Sequence, residues 1–417
     1  MVRRGLTLFE ALKVFHELPL DSESERKDSS DTEVYAPEPL VQSDDDMSDE
    51  THLSDEEVDD PSQPGPSTQP QVPTWNSKQK LQKLLPEFTR ISGPNAKLWE
   101  LPEKTPLAVF QEIFSLQLME HIVFQTNLYA TQKCKPLSPL TLVKLYIFLG
   151  INLLMGIKRM PSYKDFLANN EALGDEFICC YMSCRRFSWI LGNLHLYDNV
   201  LEPKKNDVNF DRLYKVRPLL DYLSKSFLDA LHPSENQSID ESIIKFKGRS
   251  TIKQYMPKKP IKRGFKVCMR CDESAFASQF KIYSGKKEVV EKNLGEKVVK
   301  RLTECLNGKN HQVFMDNYFT TYELFRYLET KSIYACRTAM IGRKNLPKSL
   351  LAQDKELKRG EFDWAVSNDN LTCLKWKDKR CVTTLSSLPD AVDQIQIERK
   401  EKDGTKVNIN CPKAIST

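Results

Sequence analysis

At Pro233 the hydrophobic periodicity of this 417-residue chain changes, and no single-class fold accommodates both halves. From about Pro106 to Leu231, apolar residues recur every three or four positions, the spacing of one helix face. The helical stretches are "TPLAVFQEIFSLQLMEHIVFQTNLYA", "LTLVKLYIFLGINLLMGI", "SCRRFSWILGNLHLYDN" and "DRLYKVRPLLDYLSKSFLDAL"; Ser183 and Asp211 stand where N-caps belong. Beyond Pro233 the pattern is that of strands: "NQSIDESIIKFKG" and "RGFKVCMRCDESAFASQFKIYSG". A helical "KEVVEKNLGEKVVKRLTECL", the strand "HQVFMD", the helix "TTYELFRYLETK" and the strand "SIYACRTA" come next. Residues 234–341 therefore predict a mixed α/β unit, preceded by an all-helical domain over 106–233. After Gly342 short strands return, with turn signals at Asn368-Asp369-Asn370 and Asp403-Gly404, and predict a small β-rich unit over 342–417.

Ahead of the helices no such periodicity exists. Leu8, Leu12 and Phe15 share one face of a short helix within 1–20, enough for a docking peptide and too little for a domain. Residues 21–70 hold 17 Asp or Glu against Arg26 and Lys27, a net −15. With little aromatic content and much Ser and Pro, 21–75 is expected to be a disordered acidic tail and 76–105 a linker. Ser43, Ser48 and Ser54 each precede acids, a context that acid-directed kinases favour, although a solvating tail is the preferred reading.

The formal charge of +4 thus conceals a body that carries +19, which suits a polyanionic partner, most often nucleic acid. The 11 cysteines are scattered, and the long apolar run Leu140–Met155 contains Lys144 and Asn152 within 16 residues, short of a membrane span. The expectation is an intracellular, reduced protein without membrane association.

Two carboxylates stand out. Asp240 lies inside the first strand of the α/β unit and Asp316 ends the fourth. Side chains alternate along a strand, so Asp240 shares a face with Ser242 and Ile244, and Asp316 shares one with Phe314. If the two strands are neighbours, the carboxylates converge, and their repulsion is relieved by a divalent cation such as Mg²⁺ or Mn²⁺. Two such ions about 4 Å apart support phosphoryl transfer. Spacing alone favours the simpler reading of turn or cap residues at strand ends.

The stretch just after the Asp240 strand is strongly basic. From Lys245 to Lys266, "KFKGRSTIKQYMPKKPIKRGFK" carries nine Lys or Arg and no acid: Lys245, Lys247, Arg249, Lys253, Lys258, Lys259, Lys262, Arg263 and Lys266. Phe246, Tyr255 and Phe265 interleave with them, and Gly248 and Gly264 are expected to let the backbone approach phosphates. A solvated loop has the same composition; a phosphate-binding one gives salt-dependent, sequence-tolerant affinity for double-stranded DNA. "CMRC" at 268–271 is a lone CxxC in a strand, where Cys268 and Cys271 face opposite ways, so no zinc site is predicted. His195 in "LGNLHLYDN" reads as a core or helix-end residue, since no ligand cluster accompanies it.

"SIDESIIKFKGRSTIKQYMPKKPIKRGFK" and "VFMDNYFTTYELFRYL" resemble the piggyBac transposase family, as do "RRFSWILGNLHLYDN", "KVRPLLDYL", "GEFDW" and "LKWKDKRCVTTLSS". The resemblance runs in the family's order from about Leu101 to the end. It implies an RNase H-like mixed-sheet catalytic core that cuts and rejoins DNA at TTAA sites with three aspartates and a divalent metal, Mg²⁺ or Mn²⁺. Asp240 takes the first aspartate position and Asp316 the second. The helical region resembles part of the family's dimerisation and DNA-binding domain, and the segment after Gly342 its β-rich insertion.

One departure matters. In the family, a stretch resembling "YNKxMGGVDxxDQ" comes after a "CP-x-A-I" segment and brings the third aspartate on the core-closing helix; this sequence holds "CPKAIST" and no such stretch. "LPDAVDQ" imitates it superficially, but Asp390 and Asp393 come immediately after a strand and read as a turn. Three functions are therefore expected. The first is a nuclear, piggyBac-derived DNA-binding protein, inactive in transposition as it stands, with a second copy of the chain and nuclear or chromatin proteins as partners. The second is a cut-and-paste transposase whose site another chain or a longer isoform completes. The third is a protein-interaction module built on the acidic tail and the insertion.

Overall fold

The computed structural model describes residues 72–417 apart from 135–137, 171–172, 258, 286–292, 402–403 and 417. The short N-terminal helix, most of the acidic tail and Lys258 lie outside the described residues.

Helices come first: α1 (Ala96–Trp99), α2 (Pro106–Ile113), α3 (Leu116–Gln132), α4 (Leu142–Ile157), α5 (Tyr163–Phe166), α6 (Glu176–Tyr181), α7 (Cys184–Asn193) and α8 (Arg217–Ala230). Thr105, Ser115, Thr141 and Ser183 each turn a side-chain oxygen onto an amide of the first turn, satisfying groups the helix leaves unpaired. Ser115 also explains why the first apolar run is not one helix: α2 and α3 meet there at 65°. Met119, Leu145, Phe148, Ile151, Phe187 and Ile190 close a core among α3, α4 and α7. No single described helix is long and apolar enough to cross a membrane.

Asp211 departs from its expected role. The chain passes first through a 3-10 turn, Tyr214–Val216, and α8 begins at Arg217 with a proline in its first turn. The Asp211 carboxylate instead accepts Leu213 N–H at 2.9 Å and, in a fork, Arg217 Nε at 2.6 Å and Nη2 at 3.0 Å. The Arg217 guanidinium holds its carboxyl below the ordinary range.

The strands are β1 (Trp75–Ser77), β2 (Gly93–Pro94), β3 (Leu231–His232), β4 (Asn236–Lys245), β5 (Gln254–Tyr255), β6 (Arg263–Asp272), β7 (Ala277–Ile282), β8 (His311–Met315), β9 (Ile333–Thr338), β10 (Phe362–Ser367), β11 (Thr372–Lys377), β12 (Cys381–Ser386), β13 (Gln394–Lys400) and β14 (Lys406–Pro412). Helices α9 (Leu294–Thr303), α10 (Tyr322–Thr330) and α11 (Lys413–Ser416) complete the elements. The central sheet runs β1-β10-β11-β12-β9-β8-β4-β6-β5, with β7 also on β6. Its middle is mixed: β7, β6 and β4 are antiparallel, whereas β4, β8 and β9 are parallel.

Alternation decides which face is buried. Ile239, Val313 and Met315 point to one side, where Val299 and Leu302 of α9 and Leu324, Phe325 and Leu328 of α10 cover them. On the other side, toward β9, β10 and β11, Tyr334, Cys336, Leu374 and Trp376 pack against Ile409, Cys411 and Ala414 of the β13–β14 hairpin and α11. Ser238, Asp240 and Ser242 of β4 stay exposed on that second face.

Two elements differ from what periodicity suggested. The strands after Gly342 do not stand apart: β12 pairs with β9 through Thr384↔Thr338 and Leu385↔Arg337, so β10–β12 continue the core sheet. The segment expected as a linker begins as an extended strap across the sheet. Trp75 pairs with Ser367, Leu81 is buried, Lys83 meets Glu329 at 2.5 Å and lies 4.6 Å from the Tyr334 ring, and Phe88 sits 4.9 Å from the His311 ring. Few of these contacts are periodic, so a pattern search does not find them.

Candidate functional site

The register between β4 and β8 builds the site. Ser238 pairs with Phe314 and Ile239 with Met315, where the ladder ends; continued by one step, this register sets Asp240 opposite Asp316. Adjacent strands lie about 5 Å apart, and residues opposite each other share a face. Asp240 thus stands in the middle of β4 and Asp316 just past the C-terminal end of β8, both on the uncovered face and both exposed. Asp240 Oδ1 accepts Glu241 N–H and Asp316 Oδ1 accepts Asn317 N–H, each at 2.7 Å. The Asp316 carbonyl accepts Phe319 N–H at 3.0 Å and Thr320 Oγ1 at 3.3 Å, which turns the chain sharply toward α10, where Thr321 caps the helix.

On β6, Met269 stands opposite Asp240 and Cys271 opposite Ser238. Ser238, Asp240, Glu241, Ser242, Met269 and Cys271 line an open, shallow concavity. Cys268 lies opposite Glu241, on the buried face, where burial pushes its thiol up to about 11. The two cysteines of "CMRC" thus point apart, as strand alternation requires. Among the described residues, no group of three or more His, Cys, Asp or Glu is placed to hold a metal ion. A metal held by Asp240 and Asp316 would complete its shell with water or substrate oxygens, a usual arrangement for Mg²⁺.

The basic segment forms an arm beside this concavity. Phe246 and Phe265 stack at 4.8 Å, Ile252 is buried, and Met256 N–H reaches Lys262 O at 2.8 Å. Lys245, Lys247, Arg249, Lys262 and Arg263 are exposed; Arg263 lies 5.1 Å from the Tyr255 ring. Lys253 donates to Gly248 O at 2.7 Å. Lys259 reaches back to Asp240 Oδ1 at 3.9 Å. Lys266 is on the opposite face: its ammonium meets Glu241 Oε1 at 2.5 Å, and both side chains are largely covered.

The glycines have an internal reason. A Cβ on Gly264 would lie 2.0 Å from Ile244 O, and one on Gly248 would lie 2.5 Å from the Phe246 ring. Their close approaches are to this chain itself.

Elsewhere, His195 lies just past α7, stacks on Tyr129 at 3.5 Å, contacts Asn193 O through Nδ1 at 3.0 Å and pairs Nε2 with Asn199 at 2.9 Å. Asp390 is tied to Lys413, and Asp393 lies 3.6 Å from Lys80. Sequence reasoning overlooked Met269 and Cys271 as lining residues and Arg343, whose Nη2 donates to Asn317 O at 3.2 Å and Tyr318 O at 2.9 Å. Counting alternation along β6 finds the lining residues; nothing local to "IGRKN" signals the Arg343 contact.

With this geometry in place, similarity to known proteins is informative. The family model described as transposase IS4 matches residues 105–417. The chain is 28% identical over 384 residues to human PiggyBac transposable element-derived protein 3, covering 87% of this chain and 60% of that protein. It is 27% identical over 305 residues to human PiggyBac transposable element-derived protein 2, covering 71% of this chain and 50% of the relative. The chain thus spans half to three fifths of the length of these two relatives. A chain of the cryo-EM structure of a piggyBac transposase synaptic complex with hairpin DNA superposes with a TM-score of 0.66 at 22% identity, over 78% of this chain and 67% of that one. The fold is therefore a mixed sheet with an RNase H-like core, as the sequence resemblance implied.

Proposed function

Because the chain belongs to the transposase IS4 family and is a piggyBac-type, transposase-derived protein, we propose that it is a nuclear DNA-contacting protein that holds a divalent cation between Asp240 and Asp316. The observation that supports this is the β4–β8 register, which, continued one step past Ile239 and Met315, sets two hard oxygen ligands opposite each other on an exposed sheet face. Mg²⁺ and Mn²⁺ accept one or two carboxylates and keep several waters, so the donor set fits. When bound, such an ion supplies Lewis-acid stabilisation to phosphoryl oxygens.

The remaining work falls to the chain's own residues. Lys245, Lys247, Arg249, Lys262 and Arg263 offer exposed cations for duplex phosphates beside the carboxylates. Lys259, 3.9 Å from Asp240 Oδ1, is a solvent-screened counter-charge that a cation would displace. Two carboxylates hold a second ion poorly and leave in-line geometry loose, so complete strand transfer by this set alone is expected to fall orders of magnitude below that of a three-carboxylate site. The greater length of the relatives and the synaptic assembly of the structural neighbour favour a second reading, in which a longer form or another chain, including a second copy, supplies a third carboxylate and DNA transposition results.

Mn²⁺ titration calorimetry on the full chain, beside Asp240→Asn and Asp316→Asn, tests the proposal. Binding in the parent that either change abolishes supports it; absence of binding in the parent overturns the metal reading. Duplex-DNA anisotropy and strand-cleavage assays, with and without added family C-terminal fragment, separate the binding role from the enzymatic one.

A further inference from the structure

On the buried face of the sheet, directly behind the carboxylates, one ammonium touches the segments that carry both of them. Lys266 meets Glu241, the residue after Asp240, at 2.5 Å. The same ammonium lies 5.1 Å from the centre of the Tyr318 ring, two residues after Asp316. It therefore bridges the middle of β4 and the turn after β8 from a third strand. We propose that Lys266 is the positioning residue of the Asp240–Asp316 pair, fixing the separation of the two carboxylates from the opposite face of the sheet.

Three observations support a strut in preference to a phosphate contact. First, Lys266 is the one basic residue of the 245–266 segment, among those described, that pairs with a largely covered carboxylate: the side chains of Lys266 and Glu241 are 19% and 11% exposed. An ion pair withdrawn from solvent to that degree is screened much less than the pairs of the surface. Burial opposes the charge on Lys266, yet the hydrogen bond and charge of Glu241 overcome it and raise its affinity for the proton. Second, a cation held over an aromatic face is attracted to the ring quadrupole, so Tyr318 is drawn toward the Glu241 side. Third, the 316–320 turn is held elsewhere as well. Arg343 donates to two of its carbonyls, and α9 approaches so closely that a Cβ on Gly295 would lie 3.3 Å from the Tyr318 ring. With those sides fixed, Lys266 sets the remaining coordinate, the distance of the turn from β4.

The inference rests on the metal reading above for its function, and its test separates the two. Amide hydrogen exchange of the metal-free full chain is monitored in the peptides over 238–242 and 316–320 for the parent, Lys266→Met, Lys266→Arg, Tyr318→Leu and Tyr318→Phe. Lys266→Met and Tyr318→Leu are expected to speed exchange there about tenfold, with the peptides of α3 and α4 unchanged as a control for folding. Lys266→Arg and Tyr318→Phe retain the cation and the ring and are expected to restore protection. Mn²⁺ affinity should fall about tenfold in the same two variants and recover in their conservative partners. Unchanged exchange in both peptides overturns the positioning role, whether or not Mn²⁺ binds. A parent that fails to bind Mn²⁺ while exchange responds as expected overturns the metal reading and leaves the strut standing.

Discussion

Asp240 and Asp316 each directly follow a member of the Ile239–Met315 pair, the last rung of the parallel β4–β8 ladder. They are 76 positions apart in the chain, and their proximity depends on α9 and α10 packing over one sheet face so that β8 can enter beside β4. The helices leave the carboxylate face free.

Two adjacent carboxylates repel in the absence of a cation, and a cation that binds only the folded chain stabilises it by mass action. At a hundredfold excess over Kd, Mn²⁺ is expected to add about 2.7 kcal/mol to the apparent stability of the parent. Asp240→Asn and Asp316→Asn should each lose that gain, as read from melting curves with and without Mn²⁺.

The arm predicts a salt dependence. Each phosphate contact removed flattens the slope of log affinity against log salt by about 0.9 for duplex DNA. Lys262→Ala and Arg263→Ala, both exposed, are each expected to do so. Lys266→Met, which removes an ammonium committed to Glu241, should leave the slope unchanged in anisotropy titrations at roughly 50–200 mM salt, the span over which such contacts are lost.

Close backbone approach favours glycine at position 264. A Cβ there would sit 2.0 Å from Ile244 O and 2.8 Å from Ile243 Cγ2, so Gly264→Ala must push β4 and β6 apart. A loss of about 1–3 kcal/mol is expected in chemical denaturation. Gly192→Ala in α7, where nothing lies within 4 Å, should instead be neutral or stabilising by up to about 1 kcal/mol.

The strap contributes to the sheet it crosses. A chain beginning at residue 92 lacks the Trp75–Ser367 pairing, buried Leu81 and the Lys83–Glu329 pair. It is expected to melt several degrees below a chain beginning at 72 in a thermal scan.

Tyr322 ties α10 to the β10–β11 turn by donating to Asp369 Oδ2 at 2.7 Å. Burial, opposed by a hydrogen bond involving Ser367 and reinforced by Asp369, raises the pKa of its phenol above the ordinary value of 10.0. The unfolded chain then ionises first, so this contribution is intact below about pH 10 and is lost as pH rises through the folded-state value. Tyr322→Phe should be less stable at neutral pH by about 1–3 kcal/mol, the worth of a hydrogen bond to a charged group, and less sensitive to alkali above pH 10.

Much of this was legible in the residues themselves, and the reason is local. Alternation in "NQSIDESIIK" and "HQVFM" marks two strands and the face each carboxylate takes, and Ser183 before "CRRFSW" marks a helix start. Where local signals compete, reading them failed: Asp211 has the look of a cap, yet a 3-10 turn intervenes and Arg217 takes its carboxylate. Lys266 looks like its eight basic neighbours in the segment, because composition carries no face; counting along β6 places it opposite Ile243, on the Glu241 side.

The sequence by itself determined the elements, their order and the chemistry of the two aspartates, since helix and strand periods and the acidity of a side chain are properties of short stretches. Tertiary structure alone decided that β8 lies beside β4 in the register that aligns Asp240 with Asp316 and that β10–β12 extend the same sheet. It also decided that Lys266 stands behind the carboxylates while Lys259 stands before them. Those are contacts between residues distant in the chain. They arise from which faces bury together, and no short stretch contains that information.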